Sequence, residues 1–185
     1  MIKTKLWVQT EGSFLILLAL MLLLLPLQWV LAAAGAACFH ELCHYAAIRL
    51  LGGDVYGLRL GLNGAKMEVA PLAPGKELVA ALAGPIGSAF LVLLAKWLPR
   101  LAICGFVHCI FNLLPLFPLD GGRALRGLMT LFLPDETGQR AFSISQQVLL
   151  WGVGFLCILG AFKWGIFPAI LGITLIWRQR KKRTV

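Results

Sequence analysis

Between Val30 and Leu51 the chain reads VLAAAGAACFHELCHYAAIRLL, small and apolar almost throughout, with His40, Glu41 and His44 set inside it. About 20 consecutive apolar residues are what a helix needs to cross a bilayer. Open sheet edges cannot cross lipid, because their backbone groups would be left unpaired. The stretch therefore predicts a membrane helix over about 30–51. A carboxylate at membrane depth costs about 2.5–3.5 kcal/mol on insertion scales and normally has a partner. The spacing supplies one, since His40 and His44 lie one helical turn apart on the same face. Two imidazoles so placed can grip a single Zn²⁺ from one side.

The rest of the chain has the same character. At 185 residues, 59% are hydrophobic and 14% charged, against about 25% charged in an average protein. Little is left over for a separate soluble module. The reading is an all-α polytopic membrane protein, a single domain over 1–185, with about six transmembrane helices and a small β-hairpin after the second. The net charge of +9 does not point to nucleic acid, because much of it is the run Arg178–Arg183 behind an apolar segment. Such a cluster anchors topology and touches anionic lipid. Cys38, Cys43, Cys104, Cys109 and Cys157 are odd in number, lie in apolar segments and form no C-x-x-C; they read as buried thiols.

Taken in order, residues 1–12 are a polar lead and 14–30 a first apolar run, read as a retained helix that turns near Pro26–Trp29. A cleaved signal peptide ending at Ala32–Ala34 is the competing reading. Gly52-Gly53 closes the second helix. Residues 55–70 alternate apolar and polar around Asn63-Gly64, a hairpin signal that could offer an edge to an extended peptide. A third helix is expected over about 77–97, with small residues around Ala83-Gly84-Pro85 that allow close contact and a proline that can kink it. A fourth is expected over about 101–118, broken by Pro115 and Pro118. Broken backbone at that depth must be buried or line a cavity. An amphipathic piece at 124–133 precedes two last apolar runs, 143–162 and 164–177. With the N terminus cytoplasmic, fourteen of the 17 basic residues face inside, as the positive-inside rule asks. Both termini are then cytoplasmic, and the polar groups sit within the membrane nearer that side.

His40, Glu41 and His44 form the H-E-x-x-H pattern of zinc peptidases. A catalytic zinc keeps three protein ligands and one open position. Among the remaining acids Asp120 is the best third ligand, emerging beside Gly121-Gly122 from the proline-broken segment. Glu41 follows the first ligand directly, so its carboxylate can serve as the base acting on a water. His108 is left out of the metal set.

HELCH on an early helix, AGP on the next and NLLPLFPLDGG at the end of the following one together resemble the site-2 protease family of intramembrane zinc proteases. The six-helix plan is most similar to its bacterial branch around the stage IV sporulation protease. The resemblance spans about 30–125, the core, with peripheral helices at 13–30 and 143–177 and no space for PDZ or CBS domains. It implies one Zn²⁺ per chain on His40, His44 and Asp120, Glu41 as catalytic base, and Asn112 and Pro115 of an N-x-x-P element at the substrate. It further implies a multi-pass protein of the bacterial cell membrane that cuts a membrane-tethered protein in regulated proteolysis, such as pro-sigma-factor activation. An inhibitory or regulatory membrane protein would be a natural partner, and no oligomeric state follows. The alternative is a non-catalytic zinc-binding membrane scaffold or chaperone.

Overall fold

Two helices, α1 (Gly12–Leu24) and α2 (Leu27–Leu50), meet at Pro26, whose ring cannot continue α1 and starts α2 instead. The turn falls at Pro26 as expected, while α2 begins at Leu27, a few residues earlier than expected, and runs for 24 residues. The computed structural model describes residues 7–61 and 64–164. Gly52, at φ +77°, lets the chain reverse after α2 in a conformation that side-chain-bearing residues disfavour.

The hairpin is present as β2 (Val55–Gly61) paired antiparallel with β3 (Gly64–Val69). It is not alone. Trp7–Thr10, expected to be a polar lead, forms a strand, β1, parallel to β2, so the sheet order is β1-β2-β3. Trp7 explains the docking: its ring covers Gly57, where any Cβ would collide with it, and the Arg59 guanidinium lies 5.9 Å from its centroid. Ile48, Val55 and Ala80 are buried together and gather Leu51, Met67, Val69 and Leu72. That cluster ties the sheet to the end of α2 and to the first half of the helix that begins at Pro74.

The third helix, α3 (Pro74–Phe90), passes into a 3₁₀ turn over Leu91–Leu94. This Pro74–Leu94 unit is, among the described residues, the one helix long and apolar enough to cross a membrane by length and composition. Helices α1 and α4 (Pro99–Leu113) are apolar but shorter, and α2 carries the polar motif. The fourth helix ends before Pro115 and does not reach 118. Asp120 opens a separate helix, α5 (Asp120–Phe132), in place of a short amphipathic piece. A single helix, α6 (Asp135–Trp164), then replaces the run expected over 143–162. The run at 164–177 lies outside the described residues except for Trp164.

At the centre α3 packs on α2, α4 and α5, while α6 packs on α5. Glycines set the approach. A Cβ on Gly105 of α4 would lie 2.9 Å from the Ser88 carbonyl, and one on Gly127 of α5 would lie 3.0 Å from that of Pro74. Helix α1 buries none of its residues and stands at the periphery. All five cysteines are free thiols.

Candidate metal centre

The HELCH motif lies within α2, so His40 and His44 present their rings one turn apart toward α3. Both are almost fully buried, at 2% and 4% exposure. Asp120 arrives from the first turn of α5, where the helix N-terminus favours a carboxylate. The Oδ2 atom of Asp120 lies 2.9 Å from Nε2 of His40 and 3.0 Å from Nε2 of His44, and the two Nε2 atoms are 3.1 Å apart. Its other oxygen, Oδ1, faces the Arg123 guanidinium at 3.5 Å. Among the described residues this trio is the one group of three His, Cys, Asp or Glu able to hold a metal ion.

The proton positions decide what such a triangle can hold. Nδ1 of His44 lies 2.7 Å from the Ala80 carbonyl. A carbonyl only accepts, so Nδ1 carries the hydrogen and donates it. In the neutral ring Nε2 is then a bare lone pair, aimed at a carboxylate oxygen and at a second imidazole nitrogen. Converging lone pairs repel unless a cation lies among them. Tetrahedral zinc with bonds of about 2.0–2.1 Å needs ligand atoms about 3.3 Å apart. The observed triangle is within a few tenths of an ångström of that, and the donor set of two imidazoles and one carboxylate suits the ion. The residues present therefore fit a catalytic zinc with one position left open.

Two residues on α3 complete the centre, and composition alone does not single them out. Ser88 is fully buried, and its Oγ lies 2.9 Å from Nδ1 of His40, so it holds that ring as Ala80 holds its neighbour. Partners of this kind fix tautomer and orientation. Its signal in the sequence is faint, a hydroxyl in the small-residue run Gly87-Ser88-Ala89. Gly84 lies under both ligands. A Cβ there would overlap His44 Nε2 and stand 2.7 Å from His40 Nε2. The small residue of the Ala-Gly-Pro stretch thus does more than bring helices together; it leaves the space in which the ligand atoms meet.

Glu41 is half-buried, one residue past the first ligand and within electrostatic reach of His40, His44, Asp120 and Arg123. His108 on α4 packs edge-on against the His40 ring, centroids 4.8 Å apart, and stays outside the ligand trio. Asn112 sits one turn further along α4, its amide donating to the His108 carbonyl at 3.0 Å. Pro115 lies in the connection between α4 and α5, where Gln146 of α6 binds its carbonyl. The trio and Glu41 therefore share one place, whereas Asn112 and Pro115 border it through His108 and through the connection.

A family profile, that of peptidase family M50, matches residues 72–156. The match contains Gly84, Ser88 and Asp120 but stops short of the HELCH motif. The fold brings the two together around one point. The likeness to that family thus covers a little under half of the chain. Among solved structures, the chain is similar to the site-2 protease from Methanocaldococcus jannaschii. The TM-score is 0.65 at 19% identity, over 89% of this chain and 83% of that one. Identity that low speaks for the fold, which is that of a site-2 protease. Among curated proteins none matches. Ser88 gives a test of the site. Ser88→Ala removes the partner of His40 Nδ1 and should weaken zinc binding about 10–100-fold, read by competition with a chromogenic chelator. Unchanged affinity would mean that the hydroxyl does not orient the ring.

Proposed function

We propose that this chain is a peptidase of family M50, an intramembrane zinc endopeptidase that hydrolyses a peptide bond in or near a membrane-embedded segment of a tethered protein. The observation that carries the reading is the meeting of the Nε2 atoms of His40 and His44 with the Asp120 carboxylate, buried between apolar helices and beside Glu41. Zinc, when bound, supplies Lewis acidity that polarises a peptide carbonyl and makes water acidic enough to attack near neutral pH. The chain's own residues supply the rest. His40, His44 and Asp120 hold the ion. Ser88 and the Ala80 carbonyl orient the rings. The carboxylate of Glu41 takes the proton of the attacking water and returns it to the leaving amine. Asn112, bordering the site on α4, is assigned to substrate, with Pro115 shaping the connection beside it.

The same proposal includes six membrane spans, both termini in the cytoplasm and residence in a bacterial cell membrane, on the support of the apolar runs and the charge distribution. Substrate helices must unwind to expose a peptide bond. Chemistry and location suit a membrane-held regulator, a pro-sigma factor first and an anti-sigma factor second, with control by a membrane partner.

The test is reconstitution of the purified chain into liposomes with a labelled membrane-tethered substrate. Cleavage that a zinc chelator abolishes and added zinc restores is expected. Chelator-resistant cleavage would contradict the reading.

A further inference from the structure

The connection from Leu114 to Leu119 carries two prolines through an apolar region, so its backbone groups need partners from elsewhere. One such partner is Gln146 of α6, whose side chain is buried at 8% exposure. Its Oε1 accepts from the Phe117 N–H at 2.7 Å, and its Nε2 donates to the Pro115 carbonyl at 2.8 Å. An N–H can only donate and a carbonyl only accept, so the two partners fix which way the amide points. One turn earlier on the same helix, Phe142 packs edge-on against Phe117, with centroids 6.3 Å apart.

The held segment is in direct contact with the start of α5. A Cβ on Gly122 would overlap the Phe117 nitrogen, with the Leu116 carbonyl at 2.7 Å, and one on Gly121 would stand 2.6 Å from the Leu114 carbonyl and overlap that of Leu113 at the end of α4. Backbone rests on backbone there with no flexible side chain between them. A shift of Leu116–Phe117 therefore presses on Gly122, in the same helical turn as Asp120.

We propose that Gln146 is a positioning residue for the metal centre, a two-point amide clamp from α6 that sets where Asp120 presents its carboxylate. The proposal rests on the reading of Asp120 as a metal ligand and extends the site to a helix that carries none of its ligands. A buried amide costs stability unless both its ends are bonded, and here both bonds fall on the segment that delivers the third ligand.

The experiment uses the full chain in detergent micelles, with Zn²⁺ affinity from chelator competition and the visible absorption of the Co²⁺-loaded protein as a report on ligand geometry. Gln146→Met, apolar and of similar volume, should weaken affinity about 10–100-fold and change the Co²⁺ band. Ser145→Ala, which removes only a hydroxyl bonded to the Phe142 carbonyl, should change neither. Gln146→Asn, too short to reach both partners, is the second variant should the first not fold, and the same weakening is expected of it. Variants that lose unfolding temperature in the metal-free state yet keep wild-type affinity and Co²⁺ spectrum would overturn the clamp, leaving Gln146 a packing residue. Absence of zinc from the wild type would instead overturn the metal reading beneath it.

Discussion

Glu41→Gln is expected to bind zinc as the wild type does and to cleave about 10²–10⁴-fold more slowly. The amide has the shape of the carboxylate but cannot take a proton from water at neutral pH. Glu41 is not one of the three converging ligands, so its replacement leaves the donor set whole. Its position directly after His40 puts it on the rim of the site, within electrostatic reach of all three ligands. Metal content and single-turnover cleavage on one preparation separate the two effects. Loss of zinc together with activity would make Glu41 a structural member of the centre. Full activity would remove it from the chemistry.

Gly84→Ala is expected to abolish metal binding while adding a single methyl group. That methyl would overlap His44 Nε2 and lie 2.7 Å from His40 Nε2. The far ends of side chains often give way, but these rings are tied at Nδ1 to Ala80 and Ser88 on the very helix that carries Gly84. Moving α2 off α3 would open one of the main helix seams among the described residues, and overpacking of this kind costs about 1–3 kcal/mol. Zinc affinity should fall at least about 100-fold, because both imidazoles move at once; outer-shell losses alone reach that size. Isothermal titration would show it, and wild-type affinity in Gly84→Ala would mean that the ligand atoms do not meet at this point.

These two residues show what could be read in advance. His40, Glu41 and His44 are legible because helical periodicity alone fixes their faces. Asp120 was legible as a residue but not as a position. The pair Gly121-Gly122 reads as the end of a helix, yet it starts α5, where the missing side chains let α5 rest on the α4–α5 connection. Ser88 and Gly84 look like packing residues in a run of small ones. Their roles depend on the register of α3 against α2, which no local pattern carries. Strand β1 was hidden for the same reason, since Trp7–Thr10 pairs with residues some fifty positions away. Gln146 gave only a weak sign, a polar residue in a membrane run, and its purpose needs the folded connection beside it.

Helix α1 and the sheet raise a question of access. Nothing on α1 is buried, in keeping with an entrance for substrate between it and the core. Cross-linking α1 to α6 should then block cleavage of a tethered substrate while leaving zinc binding intact. Unchanged cleavage in the cross-linked protein would place the entrance elsewhere.

The most direct measurement is the zinc content of the purified chain beside that of Asp120→Ala, each checked for folding by circular dichroism. The account predicts about one zinc per chain in the wild type and a large loss in the variant. Removing Asp120 takes away the one ligand that α5 supplies. A folded wild type without zinc, or an Asp120→Ala variant that holds the metal as tightly, would contradict it.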